Sequence, residues 1–158
     1  MPELSRLDDS FTRWDALLAL VMTSFAYMEG RIDPPSSAHR LTPDLLAQKA
    51  RDEIGFVVTE SDALLACAFF RPEPPDFLYV GKLAVSPEAQ GKGLGRLLLA
   101  TAEDIARQLS LPKLRLETRI ELVENHATFA AWGFVKTAEN RHAGFDRTTS
   151  IEMQRPVA

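Results

Sequence analysis

Apolar positions recur along this chain with two different periods, and the switches between them mark out its elements. Leu4 to Leu7 predicts a short first strand. Trp14, Leu17, Leu18, Val21 and Phe25 then fall on one face at helical spacing, and Thr12-Arg13-Trp14-Asp15 before them has the shape of a capping box. Residues 27–41 hold Gly30, Pro34, Pro35, Ser36 and Ser37 and read as a loop. Thr42-Pro43 predicts the start of a second helix, running to about Glu53. Gly55 to Glu60 and Ala63 to Arg71 are short apolar runs joined by Ser61-Asp62, a hairpin signal.

Prolines at 72, 74 and 75 interrupt the chain before a strand at Phe77 to Val85. Helical periodicity returns over Leu97 to Leu109, and Leu94, Leu98, Ala102, Ile105 and Leu109 make one apolar stripe. Leu114 to Thr118 alternates as a strand. Val123 to Trp132 reads as a helix ended by Gly133, Phe134-Val135 opens a sixth strand, and Thr148 to Gln154 alternates as the last. A strand meander followed by a helical crossover predicts an α/β (α+β) mixed sheet, mostly antiparallel, of six to seven strands with helices on both faces. No repeat or long linker divides the chain, so residues 1–158 read as one domain.

Composition narrows the function classes. Apolar residues are 46% and charged residues 25%, and no run of eighteen apolar residues occurs, so a membrane span is not expected. With no signal-peptide pattern at Met1 to Arg6 and a single cysteine, Cys67, a cytoplasmic location is expected. Net charge of -4 disfavours nucleic acid as a partner. The charge is uneven: residues 1–75 hold twelve acids against seven bases, and residues 76–158 ten against eleven. The second half suits an anionic ligand, the first a cationic one. His39, His126 and His142 lack metal-ligand spacing, so no metal is expected.

The chemistry starts at Gln90-Gly91-Lys92-Gly93-Leu94-Gly95-Arg96, between a strand and a helix. Glycines let a backbone turn and approach a ligand, and the free N–H groups and positive dipole end of the following helix attract phosphate. Two phosphate binders fail to fit. A Walker loop needs Ser or Thr after Gly-Lys, and no window supplies it. The dinucleotide fingerprint needs glycine where Arg96 stands.

Gln90, Gly93 and Gly95 instead form Gln-x-x-Gly-x-Gly after Leu83-Ala84-Val85-Ser86-Pro87-Glu88. This resembles the acetyl-CoA pyrophosphate loop of the GNAT N-acetyltransferases. About forty residues further, Asn125, Phe129 and Trp132-Gly133-Phe134 resemble the family's Asn-containing helix that ends in Gly-Phe. The resemblance covers roughly residues 56 to 153. It implies acetyl-CoA as cosubstrate, a cleft between the fourth and fifth strands, and direct transfer of the acetyl group to a primary amine, on a small molecule or a peptide. A homodimer stays open. It also implies that the backbone of Leu83, Ala84 and Val85 holds the pantetheine arm, that residues 91–96 hold the pyrophosphate with Gln90 shaping the turn and Lys92 and Arg96 adding charge, and that Asn125 and Phe129 contact the cofactor.

An amine acceptor sets a deprotonation problem. At a pKa near 10.4, only about one molecule in 2,500 is nucleophilic at pH 7. A carboxylate is therefore wanted. Glu117, at the end of the fifth strand, is the first candidate base, and Glu29 and Asp33, after the first helix, are the next, near the acceptor. One departure stands out. Where the family often has a tyrosine to protonate the leaving thiolate, this chain has Phe129. Tyr79, His126 or water are substitutes between which the sequence does not choose, and a module that binds acetyl-CoA without turnover is the alternative reading.

Overall fold

The third strand runs apolar without a break, from Ala63 through Phe70, because both of its faces are covered. The computed structural model describes residues 2–157. In it, β3 (Ala63–Glu73) sends Ala66, Ala68 and Phe70 into one core and Cys67 and Phe69 into another. A period of two thus splits one run between two layers. The first core is closed by α3 (Leu94–Gln108), through Leu94, Leu98, Leu99, Ala102 and Ala106. The second is closed by α1 (Trp14–Phe25) and α2 (Pro43–Asp52), through Leu17, Leu20, Val21, Leu46 and Ala50.

The remaining elements are β1 (Glu3–Arg6), β2 (Ile54–Glu60), β4 (Phe77–Val85), β5 (Lys113–Arg119), α4 (Val123–Ala131), β6 (Val135–Asn140) and β7 (Ser150–Pro156). Seven strands lie in the order β1-β2-β3-β4-β5-β7-β6. Every neighbouring pair is antiparallel except β4 and β5. This is the mixed sheet the pattern predicts, with helices on both faces.

Two local features open the sheet at one place. The parallel pairing of β4 and β5 covers only Phe77–Tyr79 against Lys113–Arg115, and beyond it the strands part. On its other edge β4 carries a bulge, because Phe69 faces Gly81 while Cys67 faces Ala84. Lys82 sits in the bulge at φ +49°, a left-handed conformation for a residue with a side chain.

Helix ends follow the sequence in part. Thr42 caps α2 by accepting a hydrogen bond from the Leu45 N–H at 3.1 Å. Thr12 does not cap α1. The helix starts after Arg13, with no side-chain cap, and the Arg13 guanidinium donates to the Asp62 carbonyl at 2.7 Å. The helix predicted from Leu97 begins three residues earlier, at Leu94, so the last part of the glycine motif is already helical. Residues 27–41 contain 3-10 turns, one at Ala26–Met28 and one at Ser37–Arg40. None of the helices among the described residues is long and apolar enough to cross a membrane.

Candidate active site

The parting of β4 and β5 leaves two cavities that meet. The larger, about 890 Å³, runs along Leu83, Ala84 and Val85 to the glycine loop and is closed by α4 through Asn125, Thr128, Phe129 and Trp132. The smaller, about 310 Å³, lies over Tyr79 to Leu83 and Leu116 to Arg119. Phe25, Tyr27, Leu83, Asn125 and Phe129 line both, so these five residues form the junction.

The far end of the larger cavity is built to receive an anion. Gly91 and Gly93 have φ of +81° and +79°, and a Cβ on either meets nothing within 4 Å, so the loop faces open space. Gly93 is the N-cap of the 15-residue α3 and no side chain caps the helix. The first intrahelical bond runs from the Leu97 N–H to the Gly93 carbonyl, at 3.0 Å. The N–H groups of Leu94, Gly95 and Arg96 are thus left to a ligand. Arg96 lines the cavity, whereas Lys92 is exposed beside it and does not. Gly95 is a glycine for another reason: a Cβ there would stand 3.1 Å from Cη2 of Trp132. The middle of the cavity is apolar. Its wall also holds the Ser24 hydroxyl, buried and without a hydrogen-bond partner among the described residues. An apolar trough ending in uncapped N–H groups fits a long thiol ester with a pyrophosphate.

The smaller cavity carries the titratable groups. Glu117 lies in its wall and is the sole carboxylate among the described lining residues. It is positioned by Asn140, whose Nδ2 donates to Oε1 at 3.2 Å, and by Arg115 at 3.4 Å. Arg115 is itself fixed by Glu73 at 2.9 Å and Glu152 at 3.2 Å. Tyr79 is flanked by the guanidinium groups of Arg71 and Arg115, 4.6 and 4.5 Å from its ring centre. Burial, then the charge of Glu117, raises its phenol pKa. Glu29 and Asp33 are not in this wall. Glu29 pairs with His39 at 2.7 Å and Asp33 with Arg147 at 3.4 Å, and both are largely exposed. Their loop lines the cavity with Met28, Ile32, Ser36 and Ser37 rather than with its acids, and the Arg119 guanidinium donates to the carbonyls of Pro34 and Pro35 at 2.5 and 3.0 Å.

Tyr27 is the site residue that sequence reasoning missed. Its hydroxyl accepts a hydrogen bond from Asn125 Nδ2 at 2.9 Å, at the junction of the two cavities. The segment that carries it is pinned to α4 by the Arg31–Glu124 pair at 2.7 Å. Nothing local in the sequence marks Tyr27, since it follows a helix into a loop and its partner lies 98 residues away. Of the other proton donors weighed, Tyr79 lines only the smaller cavity, and His126 lines neither and bonds the Arg119 carbonyl at 2.9 Å. Phe129 packs edge-on against Trp132 and Phe134, with ring centres 5.8 and 5.9 Å away, and faces the junction.

Comparison with known proteins bears on the fold and the family. An aminoglycoside N(6')-acetyltransferase type 1 of Stenotrophomonas maltophilia is 40% identical over 53 residues, which are 34% of this chain and 35% of that protein. The match thus spans about a third of that relative's length. Among solved structures, the ribosomal-protein-S18-alanine N-acetyltransferase of Escherichia coli superposes with a TM-score of 0.70 at 22% identity, over all of this chain and 95% of its own. A GNAT family acetyltransferase of Elizabethkingia anophelis, solved with acetyl-CoA bound, gives 0.68 at 15% identity, over 98% and 97%. At these identities the superpositions speak to fold alone. The model of the acetyltransferase (GNAT) family, enzymes that use acetyl-CoA, matches residues 14–134, over three quarters of the sequence, and the chain belongs to that family.

Proposed function

We propose that this protein moves the acetyl group of acetyl-CoA directly onto a primary amine. The observation that carries the reading is the junction: a trough suited to the cofactor meets a second cavity whose single lining carboxylate among the described residues is Glu117. Bound acetyl-CoA supplies an acetyl thioester. The backbone of Leu83 to Val85 runs along the trough and orients the pantetheine arm, while Gln90 to Arg96 hold the pyrophosphate. Asn125 and Phe129 border the sulfur.

The proton balance assigns two roles. An amine that enters as ammonium and leaves as an amide loses two protons, one of which ends on the thiol and one in solvent. Glu117 takes protons from the amine as its nitrogen bonds the acetyl carbon. Tyr27 gives one to the departing sulfur as the carbon–sulfur bond breaks. Because Asn125 donates to the Tyr27 oxygen, the phenol keeps its own hydrogen to point elsewhere. Tyr27 thereby stands where Phe129 cannot serve.

Two experiments test this. Thermal melting with CoA at 100 times its dissociation constant should show about 2.7 kcal/mol of stabilisation. ATP and NAD should give no comparable shift. Absence of any shift with CoA and acetyl-CoA removes the cofactor assignment. Thiol release from acetyl-CoA across a panel of amines then separates transfer from mere binding, since a regulatory module gives the melting shift without release.

Tyr27→Phe should lower kcat by about tenfold. That is less than the roughly 10²–10⁴-fold typical of a general acid, because a thiolate leaves without much help. The loss should be largest below the thiol's pKa, near 8.5, and shrink above it. Phe129→Tyr placed in the Tyr27→Phe background should restore part of the rate. A kcat unchanged at every pH would show that sulfur departs without Tyr27.

A further inference from the structure

The acceptor cavity holds more positive than negative charge, and the excess is concentrated at one end. Lys82 lines the cavity from the β4 bulge and Arg119 from the end of β5. Neither makes an ion pair with a carboxylate among the described residues. The Lys82 ammonium has one hydrogen-bond partner there, the Ser37 hydroxyl at 2.6 Å. Arg119 uses two of its five donors, both on the carbonyls of Pro34 and Pro35. Around Lys82 stand Lys49 on α2, Arg40 on the 3-10 turn and Arg119 on β5, against one acid, Glu53, which Lys49 already binds at 2.8 Å. Converging cations of this kind oppose folding and need a reason.

We propose that Lys82 and Arg119 form a carboxylate subsite, so that the acceptor is an amino acid, with its amine toward Glu117 and the junction and its carboxylate toward these two cations. The assignment rests on the acyl-transfer reading above. One cavity offers an acid, Glu117, and two cations without a direct carboxylate contact among the described residues, Arg119 feeling Glu121 and Asp33 only at longer range, which complements a zwitterion. A volume of about 310 Å³ suits a small molecule better than a polypeptide segment. A polycationic aminoglycoside would meet Lys82 and Arg119 as like charges, so the acceptor named for the relative that matches over 53 residues does not suit this cavity. The Lys82 backbone adds to the case. A side chain is kept at φ +49° in a bulge, where glycine would be unstrained, and it is one that carries charge into the cavity.

The subsite should depend on pH in a defined direction. Burial, then Lys49, Arg40 and Arg119, lower the Lys82 pKa to about 8, while Glu53 opposes them. Lys82 is therefore cationic below that value and neutral above it. The Lys82 share of carboxylate recognition in the free protein is present at pH 7 and fades as pH rises past about 8, while Arg119 stays charged.

The test uses the CoA-loaded protein and two matched sets of ligands, the twenty amino acids with their amides and the N-acetyl forms of both. Thiol release reads turnover, and calorimetry with the N-acetyl compounds reads binding whether or not turnover occurs. At least one acid should be preferred over its amide by about ten- to a hundredfold, the worth of hydrogen bonds to a charged group. Lys82→Gln should cut that preference about tenfold, with Arg119 carrying what remains, while the CoA melting shift is retained. Equal use of acid and amide, no binding by any N-acetyl amino acid, or a Lys82→Gln loss shared equally by acid and amide would each overturn the subsite. A missing CoA melting shift would instead strike the underlying acyl-transfer reading.

Discussion

Glu117→Gln is expected to lower kcat/KM by about 10²–10⁴-fold at pH 7, the range of a lost general base. The substitution keeps shape and an oxygen for the Asn140 amide, which stands 3.2 Å away. Arg115 keeps Glu73 and Glu152 at 2.9 and 3.2 Å, so the surrounding network holds. Melting temperature and CoA binding should accordingly match the wild type. The variant then depends on amine already neutral in solution. Its rate should rise close to tenfold per pH unit below the pKa of the acceptor amine, which is about 10.4 where that amine is lysine-like. The wild type should respond less steeply. A variant as fast as wild type at pH 7 removes Glu117 from proton transfer.

The same physics explains why Glu117 could be singled out in the sequence and its rivals could not be ranked. Glu117 belongs to an alternating strand, and its place at the strand end beside a cleft follows from topology. Glu29 and Asp33 belong to a loop, where side-chain direction depends on partners far along the chain. Their partners, His39 and Arg147, turn them outward. Strands β2, β5 and β7 were legible for a similar reason, since buried positions recur in them with a period near two, and β3 was legible as an apolar run buried on both faces, whereas β1 and β6 are exposed along almost all of their length. The loop at 27–41 was legible only as a loop. That it roofs the smaller cavity, through Tyr27 to Asn125, Arg31 to Glu124 and Ser37 to Lys82, rests on contacts between residues 45 to 98 positions apart. No local pattern encodes those. The bulge at Lys82 was equally hidden, because one inserted residue leaves an apolar strand looking regular.

Gly93→Val and Gly95→Val should both weaken CoA binding, but by different physics, and the difference can be measured. At Gly93 the backbone is left-handed, φ +79°, with nothing within 4 Å of a Cβ. Valine there costs at least about 1–2 kcal/mol of backbone strain, or relaxes the turn that aims the N–H groups of α3. A domain of this size loses roughly 2–4 °C of melting temperature per kcal/mol. The apo protein should therefore melt only a few degrees lower, while the CoA-induced shift disappears. For Gly95 the sequence motif suggests an unusual φ or a close approach to phosphate. It is in fact the second residue of α3, and its hydrogen faces the Trp132 ring, which a Cβ would meet at 3.1 Å. Valine adds methyl groups beyond that contact, so Trp132 must move, and with it Phe129, whose ring centre is 5.8 Å away. Overpacking of this sort costs about 1–3 kcal/mol and is felt in the apo protein. Trp132→Ala distinguishes the two sites. In that background Gly95→Val should recover most of its stability loss, whereas Gly93→Val should recover none, since its strain lies in its own backbone. If the Gly95→Val penalty is the same with and without the indole, contact with Trp132 is not why residue 95 is glycine.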